Sequence, residues 1–183
     1  MLAGVFLATA AAAAPDAALL GDVHAQAART DTIGMSVLGG WAVANIAGGL
    51  AGRQLTDDPQ RKAFHEGNAA WNVVNLAIAG SGLVGARKRA SEQPQWPALP
   101  VQLANQRSVL LLNLGLDVAY VSTGALLWTQ QDDPTFQGYG QALVLQGAFL
   151  GAFDLSMTLI NAKNAARLSP WLAGDAAGVA LRF

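Results

Sequence analysis

Apolar residues run almost unbroken from Val109 to Trp128 and again from Phe136 to Ile160. A bilayer core takes roughly 20 helical residues at about 1.5 Å rise each, so either run is long enough to cross one. Each nevertheless holds one carboxylate near its middle, Asp117 or Asp154. A short acidic turn, Asp132-Asp133-Pro134, separates them. The residues from 101 to 162 therefore read as a transmembrane helical hairpin.

An earlier pair of runs looks the same. Residues 32–52 carry no charge, and Arg53 ends them. Residues 67–86 carry none either, and Arg87-Lys88-Arg89 closes them. Residues 32–86 thus read as a first hairpin, with Asp57-Asp58-Pro59 in the polar segment between its spans. Pro favours a helix start, and Asp before it favours cap geometry. The two hairpins align without a gap at an offset of 75 residues, as from Gly40 to Gly115, Gly49 to Gly124 and Asp57-Asp58-Pro59 to Asp132-Asp133-Pro134. The Asp-Asp-Pro match falls between helices, where composition bias is least able to create it. The expectation is an all-α bundle of four transmembrane helices, made of two tandem αα-hairpins related by an axis along the membrane normal.

The remaining segments frame this core. Leu2–Ala14 has the apolar body and small-residue exit of a signal peptide but lacks a basic start, so an N-terminal apolar membrane segment is the alternative. Residues 15–31 read as a surface helix. Pro94, Pro97 and Pro100 make residues 87–100 a basic, Pro-rich linker. Ser169-Pro170 should end helical structure, and residues 163–183 form a tail, extended at its end, where Val179, Leu181 and Phe183 alternate with Ala180 and Arg182.

Composition bears on partners. Only 13% of residues are charged, about half the roughly 25% of soluble proteins. The net charge of −1 argues against nucleic acid, since phosphate binding needs clustered Lys and Arg. The lipid bilayer is the expected partner. Gly48-x-x-x-Gly52 and Gly147-x-x-x-Gly151 form small-residue faces that let helices approach closely, and they point to a homo-oligomer.

Polar groups at bilayer depth are costly and usually face the bundle interior. Counted from the two Asp-Asp turns, Asn45, Asn72, Asn75, Asp117 and Gln146 fall within one slab, and Asn113 and Asp154 within a second, about a turn deeper. His65, Asn68, Asn72 and Asn75 share one helix face. This band reads either as interhelical glue or as a proton or ion relay with Asp117 and Asp154 as carriers. The chain has no Cys, and His24 and His65 lie at no metal-ligand spacing. No catalytic motif, metal site or cofactor is indicated. The expected role is structural or interactive rather than enzymatic, and the alternative is a small transporter or proton-linked channel.

The stretches Gly34-Met-Ser-Val-Leu-Gly-Gly-Trp-Ala-Val-Ala-Asn-Ile, Trp71-Asn-Val-Val-Asn-Leu-Ala-Ile-Ala-Gly, Leu112-Asn-Leu-Gly-Leu-Asp and Gln146-Gly-Ala-Phe-Leu-Gly-Ala-Phe-Asp-Leu resemble an uncharacterised bacterial membrane-protein family, a domain of unknown function. The resemblance spans about Ile33 to Asn161. It implies four membrane helices, often behind a signal peptide, and no assigned activity. It points to Asn45, Trp71, Asn75, Asn113, Asp117, Gln146 and Asp154 without giving them roles.

Location follows from charge. With four spans, eight of the 11 Lys and Arg fall on the side of both termini and the linker. The positive-inside rule puts that side in the cytoplasm, whereas a cleaved signal peptide requires the reverse. The expected location is a bacterial cell-envelope membrane, the inner favoured over the outer, with sidedness open.

Overall fold

The computed structural model describes residues 14–172. Nearly all of them lie in four helices: α1 (Ala17–Gln54), α2 (Pro59–Ser91), α3 (Ala98–Gln130) and α4 (Pro134–Ala166). All four are long and apolar enough to cross a membrane. At about 1.5 Å per residue each exceeds the roughly 30 Å hydrocarbon core, so the ends project beyond it. The signal-peptide expectation and the alternating segment at Val179–Phe183 lie outside the described residues.

Local chemistry explains the starts. Asp58 Oδ1 accepts from Arg61 N at 2.8 Å, and Pro59 opens α2. Asp133 Oδ1 accepts from Thr135 N at 2.7 Å, and Pro134 opens α4. Both Asp-Asp-Pro motifs are thus an N-cap followed by a first-turn proline, which lacks the N–H that a helix start leaves unpaired. Asp16 caps α1 in the same way. Lys88 and Arg89 in the last turn of α2 complement its dipole.

Several expected boundaries are corrected. Residues 15–31 are no separate surface helix. They continue into the first span without a break, and Leu20, Val23, Ala27, Ala28 and Asp31 are buried. A charged residue did not end the helix, because Asp31 finds partners inside the bundle. Helix α2 begins at Pro59, where the Asp-Asp-Pro motif predicts a start, and extends beyond the charge-free run 67–86 at both ends. The linker is confined to residues 92–97, with Pro97 at the N-cap of α3 and Pro100 in its first turn, where proline is tolerated. Helix α4 runs on to Ala166, and residues 169–172 are helical again, so Ser169-Pro170 does not end helical structure. Pro170 lies in the first turn of that segment and needs no N–H there.

Helix α2 packs on α1, α3 on α4, and the two hairpins join chiefly through an α2–α4 seam, with a smaller α1–α4 contact. Small residues set the approach. A Cβ on Gly49 would lie 2.7 Å from His65 O, and one on Gly124 would lie 2.7 Å from Gly140 O. Gly49 and Gly124 are 75 residues apart, as are His65 and Gly140. At the seam, residues with that same separation meet each other: Gly138 abuts Ala63, and Gly67 lies against Ala142. Helices α2 and α4, both 33 residues long, are themselves displaced by 75.

The packing glycines differ in part from those expected. Gly48 faces open space, and its neighbour Gly49 makes the close contact. A period of 3.6 residues turns the two to different faces, and the spacing of a lone pair does not say which face is covered. Gly52 faces the His65 ring. Gly147 closes on Asp117 O and Val121, whereas Gly151 makes only ordinary contact with Asp117 Cβ at 3.6 Å.

The interior is unlike that of a water-soluble bundle. In the spans Gly, Ala, Asn, Gln and Asp outnumber the few large apolar side chains inside, Leu38, Leu110 and Met157, while Ile33, Val43, Val74, Leu112, Val118 and Leu159 are exposed. Lipid rewards no burial of alkyl side chains, so helices there meet through small and hydrogen-bonding residues. An ordinary apolar cluster forms near the linker end, where Leu20, Val23, Ala27, Leu99, Leu103 and Leu168 pack together. These features suggest a membrane protein.

Candidate functional site: an amide knot and an acid pair

The predicted polar band resolves into two unlike groups. The first is a knot of amides joining α1, α2 and α4. Asn68 Nδ2 donates to Asn45 Oδ1 at 2.8 Å. Gln146 Nε2 donates to Asn68 Oδ1, and Gln146 Oε1 accepts from Trp41 Nε1 at 3.1 Å. Asn75 Nδ2 donates to Asn72 Oδ1 at 3.2 Å and reaches Gln146 Oε1 at 3.4 Å. Asn72 Nδ2 donates to Asn68 O at 2.8 Å. Trp41 also stacks on Phe149, ring centroids 3.9 Å apart, so its indole is fixed from both sides. The knot uses its own donors and acceptors and binds one hairpin to the other.

The second group is Asp117 on α3 and Asp154 on α4. They are 3% and 6% exposed, and their carboxyl groups lie within hydrogen-bonding reach of each other. Gly147 allows this, because its missing side chain lets α4 close on the backbone of Asp117. Asp117 Oδ2 is buried and has no donor. Both acids line a cavity of about 420 Å³ bounded by all four helices, with Asn75, Asn113, Trp71 and Tyr120 in its wall. Trp71 and Tyr120 meet edge to face at 4.8 Å across the gap between α2 and α3.

Asp117 therefore belongs with Asp154 and Asn113 rather than with the amides placed at its depth. Asn45 and Asn113 are half-buried, and the other five residues of the predicted band are buried. His65 turns to Gly52 and makes no bond to the amides of its helix.

Three things escaped sequence reasoning. Asn68, though noted on its helix face, is the centre of the knot. Trp41 donates into it. Asp31, 3% exposed, pairs with Arg89 Nη2 at 2.7 Å and accepts from Gln106 Nε2. Asp31 and Gln106 occupy matching places in the 75-residue alignment. On α4, Thr158, Asn161 and Asn164 are also buried, and both side-chain polar atoms of Asn161 lack partners.

A family model described as a family of unknown function, DUF6992, matches residues 37–155. The chain belongs to this family. The expected resemblance to an uncharacterised family is met, and it carries no activity with it. The match takes in the whole amide knot and ends one residue beyond Asp154, while Asp31 lies before it. No curated protein matches the chain, and no solved structure does.

Proposed function

We propose that the protein is an integral membrane protein of a bacterial cell envelope that handles protons or a small solute through Asp117 and Asp154. The observation that carries this is the division of labour among its buried polar groups. The amides of the knot are used up in holding helices together. The two acids face each other on a cavity, and one oxygen is left without a donor. An ionisable group at membrane depth is expensive, and one not consumed by the fold points to function. Under this reading the protein is not an enzyme, the two hairpins are tandem copies of one unit, and the envelope membrane is the inner one.

The repeat draws support from the seam. Residues related by a twofold meet their own equivalents only at the axis. Ala63 with Gly138, Gly67 with Ala142 and Asp31 with Gln106 are such pairs. They suit an axis running between α2 and α4 along the membrane normal.

The test is flux in liposomes made with the full chain. Proton or solute flux is expected to disappear in Asp117→Asn while helical content and detergent behaviour stay unchanged. Flux unaffected by Asp117→Asn and Asp154→Asn sinks the proposal. A structural or interaction role, including a homo-oligomer through the open face of Gly48, is the second reading, favoured by the self-contained amide knot. A protein without flux that co-purifies as a defined multimer supports that reading.

A further inference from the structure

The cavity at the acid pair is large for a proton site. About 420 Å³ lies in the range of small-molecule pockets, which are mostly apolar with a few placed polar groups. Its wall is mostly hydrocarbon and aromatic: Leu38, Leu110, Leu116 and Leu150 with Trp71, Tyr120 and Phe153. Its charged lining consists of Asp117 and Asp154 alone, with no Lys, Arg or His among the residues that form it. Asp117 is 97% buried by its 3% exposure, and its Oδ2 has no donor.

We infer that this cavity is a binding site for an organic ammonium ion with an apolar body, its charge held at the Asp117–Asp154 pair. The inference rests on the acid-pair reading proposed above and names its substrate class. The carboxyl groups supply the counter-charge. Trp71, Tyr120 and Phe153 line the same space, and aromatic rings attract quaternary ammonium groups. A bare inorganic cation fits poorly, because such ions need a close cage of oxygens and these walls are mainly carbon. Access is lateral. Val74, Ile78, Val109 and Leu116 belong to the lining and are exposed on the outer surface of the bundle. In a membrane that surface meets acyl chains, so an amphipathic cation dissolved in lipid reaches the pair without crossing the amide knot.

The test is equilibrium dialysis of labelled benzyltrimethylammonium against the full chain in detergent. Neopentylbenzene, its uncharged isostere, serves as competitor. Saturable 1:1 binding is expected, with no displacement by the isostere. Asp117→Asn and Asp154→Asn, which alter charge with little change of shape, should each weaken binding by about tenfold or more, the loss of one charged contact. Ile78→Trp, at the exposed rim, should block the cavity without touching either acid, and it keeps the test decisive if an acid variant misfolds. Equal displacement by the isostere, or affinity unchanged in folded variants, overturns the inference. If the ammonium does not bind while Asp117-dependent flux persists, the substrate class is wrong and the acid-pair function stands. If both fail, both readings fall.

Discussion

The ion pair between Asp31 and Arg89 offers the sharpest test of how this bundle is held at its linker end. Asp31 on α1 is almost wholly buried, whereas the Arg89 side chain is 44% exposed. Truncating one partner of a fully buried pair costs about 3–5 kcal/mol, because the other charge is stranded. Here water reaches the arginine, so Arg89→Met is expected to cost nearer 2 kcal/mol. Asp31→Asn should be milder, about 1 kcal/mol, since the amide oxygen still accepts from Gln106 or Arg89. The double variant strands no charge and should be less destabilised than the two singles added together. A coupling of about 1–2 kcal/mol is expected. The measurement is unfolding in mixed micelles as denaturing detergent is raised, followed by circular dichroism for all four proteins. If the two effects add within about 0.5 kcal/mol, or if Arg89→Met is neutral, the pair does not hold these helices and the reasoning fails.

Glycine substitutions should sort by contact rather than by motif. Gly49→Ala and Gly124→Ala each place a Cβ against backbone and should cost about 1–3 kcal/mol in the same assay, while Gly48→Ala, facing open space, should be close to neutral or slightly stabilising. In the amide knot, Gln146→Leu removes the acceptor of Trp41 and the donor to Asn68 and should cost about 1–2 kcal/mol, with a changed tryptophan emission as Trp41 loses its bond. An unchanged midpoint would mean that the amides re-pair among themselves.

The helical class, the number of spans and the two Asp-Asp-Pro starts could be read directly from the chain. Such properties depend on neighbours within a few residues: run length decides whether a helix can cross lipid, and Asp before Pro caps the next one wherever it sits. Height along each helix was legible too, because rise per residue is constant, and five of the seven residues counted to the band are buried. Partnership was not. Asn75 and Asp117 count to similar depths, yet one joins a knot with Gln146 and the other turns to Asp154. Depth fixes height along the membrane normal and leaves rotation about each helix axis open. That rotation was decided by where small residues let backbones close, at Gly49, Gly124 and Gly147, and by the α2–α4 seam. The same limit hid Asp31, whose charge suggested a surface until tertiary packing brought Arg89, distant in sequence, against it. A single charge read along a chain signals exposure; only the fold can supply its counter-charge and so bury it.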